Sequence, residues 1–188
     1  MKNYINKFLI LLLMVFIYPI KSFGLIEVDI TRGNLNPLPV AVSPLSIDEK
    51  SRKSFENLIN KKNIGEEISS IVENNLKTSG LFNPLSKDAF LQAPDIANLK
   101  PRFEDWNLIK AQALITGKVT NIDNKLRVEF RLWDVLAGKE MMALAFTTVP
   151  TNWRRVGHII SDKVYERLTG EKGYFDTRII YVAEEGPK

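Results

Sequence analysis

The chain contains no cysteine and only one histidine, His158. The absence of cysteine excludes disulfide frameworks, thiolate metal sites, covalent haem attachment, thiol nucleophiles and lipidation on a cysteine. With a single histidine and no cysteine, a metal ion would lack its usual nitrogen and sulfur ligands, and any serine nucleophile would have to use His158 as its base. The G-x-S-x-G, P-loop and G-x-G-x-x-G motifs are also absent. We therefore expect a protein that is not an enzyme and that uses no cofactor and no metal.

Beyond its first 24 residues the chain has almost no net charge. The chain has 26 basic and 22 acidic residues, but Lys2, Lys7 and Lys21 lie in the first 24 residues, which hold no acid. The remainder carries 23 basic against 22 acidic groups. Nucleic-acid binding requires a basic surface, so we expect no nucleic-acid partner.

The sequence lacks an apolar run of membrane-spanning length. The longest run, Phe8 to Tyr18, has 11 residues, whereas a spanning helix needs about 20 and the core of a signal peptide needs about 7 to 15. Lys2 and Lys7 precede the run, and the small residues Ser22 and Gly24 come after it. We expect residues 1–24 to be a signal peptide cleaved after Gly24, with no stable membrane insertion afterwards; an uncleaved N-terminal anchor is the alternative.

The segment after the predicted cleavage site has the pattern of a half-buried strand. From Leu25 to Thr31 apolar and polar residues alternate, and Gly33, Pro37 and Pro39 separate this segment from the rest of the chain. Such a strand suits pairing with a sheet edge on another protein, although it could equally pair with its own domain. The predicted partner-binding residues are Leu25, Ile26, Glu27, Val28, Asp29, Ile30, Thr31, Arg32 and Gly33.

Two amphipathic helices are predicted, over Ile64 to Ser79 and Thr151 to Leu168. Their apolar residues recur every three or four positions, and each helix is succeeded by a glycine stop signal, Gly80 or Gly170. A shorter helix is predicted over Phe103 to Lys110. The charged stretch Ser46 to Asn63 is interpreted as a surface loop or a loosely held helical turn. The stretch from Pro94 to Pro101 is interpreted as a loop.

The clearest sheet signal is a three-strand antiparallel meander. Its predicted strands are Ala113 to Ile122, Leu126 to Val135 and Lys139 to Val149, with one dry and one wet face. Leu38 to Val42 is predicted as the first sheet strand, Ala89 to Gln92 as a brief strand and Phe82 to Leu85 as a redirection of the chain. We expect an α/β two-layer sandwich, with a mixed sheet and the two amphipathic helices on its dry face.

The single histidine and the tryptophans are candidate binding residues. His158 lies inside the last predicted helix and is expected to be a surface or packing residue. Trp106 and Trp153 lie on apolar helix stripes and are expected in the core. Trp133 points away from the apolar face of its strand, which makes it the tryptophan most suited to contact a partner.

Several strings of the sequence resemble, in order and spacing, the N-terminal domain of the TolB family of the Tol-Pal system. They cover nearly the whole chain after residue 24. The resemblance is carried by the helix from Ile64 to Leu76, SGLFNPL (79–85), ALITGKV (113–119), the helix from Trp153 to Tyr165, and LTGEKGYF (168–175) with TRIIYV (177–182). Residues 27–33 resemble the mature N-terminus of alphaproteobacterial members.

The resemblance implies a periplasmic, non-enzymatic scaffold of Gram-negative bacteria. Its family links the inner-membrane protein TolA to the peptidoglycan-associated lipoprotein Pal, and supports outer-membrane invagination and integrity during cell division. In the family the free N-terminal segment engages the C-terminal domain of TolA, which implies that role for Leu25 to Gly33. Family members continue into a β-propeller that binds Pal, so Pal binding is expected only through a part that these 188 residues lack.

The expected organisation is a signal peptide over residues 1–24, a partner-binding strand and linker over 25–36, the TolB-like α/β domain over 37–176, and the start of a truncated propeller over 177–188. Two other functions remain open. One is a periplasmic regulator of a peptidoglycan-synthesis enzyme, because fold does not determine function. The other is a carbohydrate-binding module that uses Trp133.

Overall fold

The computed structural model describes residues 36–177, apart from the side chains of residues 97 and 99. Within this range the chain forms five α-helices, six β-strands and two short 3₁₀ turns. The strands are β1 Leu38–Val42, β2 Ser46–Ile47, β3 Phe82–Pro84, β4 Ala113–Ile122, β5 Lys125–Asp134 and β6 Lys139–Thr148. The helices are α1 Glu49–Ile59, α2 Ile64–Thr78, α3 Pro94–Leu99, α4 Phe103–Leu108 and α5 Trp153–Thr169.

The six strands form one mixed sheet in the order β3-β1-β4-β5-β6. β1 pairs in parallel with both β3 and β4, and β2 continues the line of β1 along β4. β4, β5 and β6 form the predicted antiparallel meander. Asp123 and Asn124 join β4 to β5 with φ of 50° and 58°, the left-handed conformation that a tight two-residue hairpin turn requires.

The main core lies between the sheet and α2 and α5, as the apolar stripes predict. The residues of β5 that face this layer, Leu126, Val128, Phe130 and Leu132, are all buried. From α2 the core takes Ile64, Ile68, Val72 and Leu76, and from α5 it takes Trp153, Val156, Ile160, Val164 and Leu168. The predicted two-layer α/β sandwich is therefore confirmed.

The charged stretch from Ser46 to Asn63 is not a loop, which corrects the sequence interpretation. It contains β2 and the eleven-residue helix α1. Asp48 caps α1 by accepting a hydrogen bond from the Ser51 backbone N–H at 2.9 Å. Phe55 is fully buried in the main core. Its burial removes a large apolar area from water, which helps to hold an otherwise polar helix against the domain.

Between residues 82 and 101 one interpretation was incomplete and two were wrong. Phe82 to Pro84 is not only a redirection of the chain but the edge strand β3, with Phe82 buried. Ala89 to Gln92 forms no strand, and Lys87–Ala89 is a 3₁₀ turn. The stretch after Pro94 is a helix, with proline in its first turn and Asp95 beside it. These elements are three to six residues long, too short for a periodic pattern.

A second, smaller core packs against the other face of the sheet. Trp106 of α4 is buried there with Leu114 and Val135, and its Nε1 donates to Gln92 Oε1 at 2.8 Å. Part of the face predicted to be wet is therefore covered.

Candidate partner-binding site

The predicted partner-binding residues Leu25 to Gly33 lie outside the described residues. The structure does describe where that segment joins the domain. Leu38 opens β1, pairs with Phe82, and donates its backbone N–H to the Leu81 carbonyl oxygen at 2.9 Å. The path from residue 36 thus meets the sheet at the starting end of β1, one strand in from the β3 edge.

The other end of the described chain is held against α5. Gly170 ends the helix with a φ of 76°, a left-handed conformation that favours glycine. Gly173 then packs so closely on Asp162 that a Cβ at Gly173 would lie 2.6 Å from the Asp162 Cβ. The Asp162 carboxylate accepts the backbone N–H groups of Phe175 at 2.6 Å and Asp176 at 3.1 Å.

Aromatic and charged side chains complete this attachment. Tyr165 of α5 contacts Phe175 and Phe82 edge-to-face, with ring centroids 5.8 Å and 6.1 Å apart. Burial is the main cause that raises the pKa of the Tyr165 phenol. Arg155 Nε lies 3.1 Å from each carboxylate oxygen of Asp176. We call the set Arg155, Asp162, Tyr165, Gly173, Phe175 and Asp176 the exit anchor.

The two attachments are connected through Phe82 of the edge strand β3. Phe82 pairs with Leu38 at the start of β1. Its ring contacts Tyr165, which in turn contacts Phe175 of the exit anchor. One aromatic side chain of β3 therefore links the point where the chain enters the sheet to the segment that follows α5.

His158 has the packing role predicted for it. It is half-buried between α2 and α5, with Nδ1 2.9 Å from Asn75 Nδ2. The same amide donates to Ser161 Oγ at 2.9 Å. No cluster of three metal-ligating side chains occurs in residues 36–177. Nor does this range hold a helix long and apolar enough to cross a bilayer.

The tryptophans all make contacts within the fold. Trp106 and Trp153 are buried, as predicted. Trp133 is half-buried, donates from Nε1 to Thr116 Oγ1 at 2.9 Å, and lies edge-to-face on Phe103 with centroids 5.8 Å apart. The side chain predicted to suit a partner contact packs against the second core, and its role in binding stays a prediction.

Charges on the uncovered part of the sheet neutralise one another. Glu129 on β5 accepts a hydrogen bond from Arg127 at 2.9 Å and lies 3.5 Å from Lys118 on β4. The hydrogen bond from Arg127 is the main cause that lowers the pKa of the Glu129 carboxyl. Arg131 pairs with Glu140 across to β6 at 3.2 Å. This face therefore carries a solvated network of ion pairs and not a patch of positive or negative charge.

The sequence identifies LTGEKGYF (168–175), which contains part of the exit anchor, only as a family resemblance and assigns it no physical role. The available signal is the pair Gly170 and Gly173, since glycine just after a helix marks its stop and a second one nearby marks close backbone packing. The acceptor, Asp162, lies 13 residues from Phe175. Nothing in the local pattern connects the two.

The fold defines a class: a two-layer α/β domain with two main helices on one face of a single mixed sheet. A family model described as the TolB amino-terminal domain matches residues 26–141. That is more than half of the 188 residues, and the chain belongs to this family.

The relatives agree with this assignment. A Tol-Pal system protein TolB of Pelagibacter ubique (strain HTCC1062) is 79% identical over 178 residues, which are 95% of this chain and 40% of that protein. The chain thus spans less than half the length of this curated relative.

A solved structure extends the comparison to the fold. The crystal structure of TolB from Acinetobacter baumannii matches with a TM-score of 0.60 at 22% identity, over 81% of this chain and 33% of that one. At this identity the match establishes the fold alone. The C-terminal domain of LpoB from Salmonella enterica gives a TM-score of 0.41 at 11% identity, over 69% and 89% of the two chains.

Proposed function

We propose that this chain is the N-terminal part of a periplasmic, non-enzymatic scaffold of the Tol-Pal system. The observation that carries the proposal is the 79% identity to a Tol-Pal system protein TolB across 95% of the chain. The scaffold would link inner-membrane TolA to Pal, and so support invagination and integrity of the outer membrane during cell division.

The proposed organisation agrees with the sequence patterns. Residues 1–24 are a signal peptide, 25–36 a partner-binding strand and linker, and 37–176 the interaction domain. Residues 177–188 begin a β-propeller, through which Pal is bound in the longer protein. The first 24 residues have the charge and apolar length of a leader.

Binding to the C-terminal domain of TolA is proposed to occur by strand addition. In an extended conformation Ile26, Val28 and Ile30 would lie on one side of the segment, and Glu27 and Asp29 on the other. Backbone hydrogen bonds to the partner's edge strand would supply affinity, and apolar pockets for the three apolar side chains would supply specificity.

The test is a calorimetric titration of the chain Leu25 to Lys188 with the C-terminal domain of TolA. The double variant Ile26→Asp/Val28→Asp is compared with Glu27→Ala/Asp29→Ala, which changes the other side of the same segment. We expect the aspartate variant to bind at least about tenfold more weakly, because it places charge in apolar pockets. Thermal unfolding should be the same in all three proteins.

Deleting Leu25 to Gly33 should abolish binding while the domain stays folded. If the aspartate variant binds normally, strand addition through the apolar side is wrong. A large loss of thermal stability would assign the segment to the fold instead. If the intact chain does not bind, the TolA proposal fails and regulation of a peptidoglycan-synthesis enzyme becomes the next function to test.

A further inference from the structure

The outer edge of β6 carries no strand among the residues that the structure describes. β6 is last in the strand order and ten residues long. Its central run, Met141 to Phe146, contains neither charge nor proline. Monomeric proteins usually protect such an edge with charge, proline or a covering segment. Lys139 and Glu140 provide charge only where the strand begins.

The other edge of the sheet is unsuitable for pairing. β3 has three residues and includes Pro84, which has no backbone N–H to donate. Among residues 36–177, β6 is therefore the one long edge without a neighbouring strand, and pairing through it leaves no second long edge in this range. Pairing through β6 would thus give a closed dimer rather than a fibre.

Two copies of β6 placed antiparallel, with Leu144 at the centre, bring similar side chains opposite one another. Met142, Leu144 and Phe146 share the face covered by α2 and α5, because they pair with Leu132, Phe130 and Val128. In an antiparallel pair centred on Leu144, this leucine meets its own copy. Met142 then lies opposite Phe146 of the second copy, and Ala143 opposite Ala145. Lys139 and Glu140 lie towards the two outer ends, where they oppose no charged residue of β6.

A cleft beside the edge fits this register. A space of about 350 Å³ lies between the end of β6 and α5, lined by Phe146, Val156 and Ile159 among others. Met142 of a second copy would lie next to Phe146 on this face and extend into the cleft. Leu144, which is 37% exposed in the single chain, would be covered by its counterpart.

We propose that β6 pairs antiparallel with β6 of a second copy across a twofold axis at Leu144, joining two sheets into one. About eight backbone hydrogen bonds would form along the paired residues. The apolar contacts of Met142, Leu144 and Phe146 add to them. This inference rests on the edge and its register, and is independent of the proposed function.

The first measurement is sedimentation of the chain Leu25 to Lys188 over a range of concentrations, with Leu144→Lys beside it. Two lysines facing each other at the axis should raise the dimer Kd by at least about tenfold. Ile122→Lys is the control, since it also replaces an exposed apolar side chain of the sheet, at 47% exposure, but lies on β4. Circular dichroism confirms that each variant is folded.

The second measurement uses the absence of cysteine from the chain. Leu144→Cys introduces a single thiol that would meet its own copy, with Cβ atoms about 4.5 to 5.5 Å apart, near the separation that a disulfide needs. We expect it to cross-link at least about tenfold faster than Leu136→Cys, which is more exposed, at 62%, but lies in the turn before β6.

A monomer at every concentration would overturn the proposal. So would a dimer that Leu144→Lys leaves intact or that cross-links no faster through Leu144→Cys than through Leu136→Cys. A chain that dimerises only after Leu25 to Gly33 is deleted would also overturn it, because its own N-terminal segment would then cover the edge.

Discussion

Asp48 shows how one carboxylate attaches a polar segment to the sheet. Its two oxygens accept from the backbone N–H of Ser51 at 2.9 Å and from the Ser51 hydroxyl at 2.7 Å. That hydroxyl oxygen in turn accepts the backbone N–H of Asn121, near the end of β4, at 2.9 Å. The hydrogen bond from the Ser51 backbone is the main cause that lowers the pKa of Asp48 from its usual 3.8.

We predict that Asp48→Ala lowers the free energy of unfolding by about 1 kcal/mol at pH 7, the usual effect of losing an N-cap. Because the pKa of Asp48 is lowered in the folded state, its stabilisation is complete above the ordinary carboxyl pKa. That stabilisation is lost as the pH falls through the lowered value. The difference between variant and parent should therefore shrink below about pH 4.

Urea unfolding of both proteins at pH 7 and pH 3 measures this difference. Ser51→Ala serves as the companion variant, since combining it with Asp48→Ala should add less than its separate effect. A difference that is the same at both pH values would contradict the role of the charged form of Asp48.

At the scale of the element, α1 is attached by the Ser51 hydrogen bond to β4 and by one fully buried apolar side chain. Phe55 is fully buried, whereas Leu58 on the same helix is 45% exposed. The remaining surface of α1 carries ion pairs such as Lys62 with Glu56 at 2.9 Å. Exposed pairs of this kind contribute little to stability.

We predict that Phe55→Ala lowers the free energy of unfolding by about 3 to 5 kcal/mol, the typical effect of emptying a buried aromatic site. Leu58→Ala, on the same helix, should change it by less than about 1 kcal/mol. Urea unfolding monitored by circular dichroism compares the two. Similar small effects from both would mean that α1 contributes no more to the core than an exposed turn.

The longer elements were predictable because their patterns repeat. The helices α2 and α5 and the strands β4, β5 and β6 carry their apolar residues at regular spacing over at least ten positions. α1 is an equally regular helix, but its sequence contains few apolar residues. Its many charged residues therefore left no apolar period from which a packed helix could be predicted. β3 and α3 are too short for any period to appear.

Across the whole molecule, the exit anchor determines where the chain leaves the domain. It joins residues 173–176 to α5 through the Asp162 carboxylate, and to β3 through Tyr165 and Phe82. The family string LTGEKGYF (168–175) contains Gly170, Gly173 and Phe175 of this attachment, so its physical role is to hold the segment after α5 in one position.

We predict that Asp162→Ala releases residues 173–177 while the rest of the domain stays folded, because two backbone N–H groups lose their acceptor. Trypsin should then cleave after Lys172, which is exposed, at least about tenfold faster than in the parent, as expected of a locally opened segment. Asp88→Ala, at an exposed carboxylate in the 3₁₀ turn, is the control. Equal cleavage rates in the two variants would show that the aromatic contacts alone hold the segment.

The sequence by itself determined the two main helices, the meander and the face on which they meet, because each is a local periodic pattern. It also led to the predicted partner-binding segment Leu25 to Gly33, through alternation and family resemblance, and that segment stays a prediction. The tertiary structure alone decided the attachments that join distant residues: Ser51 to Asn121, Asp162 to Phe175, and β1 to β3. It also decided which strands lie at the edges of the sheet within residues 36–177, since strand order depends on pairing between segments that no local pattern connects.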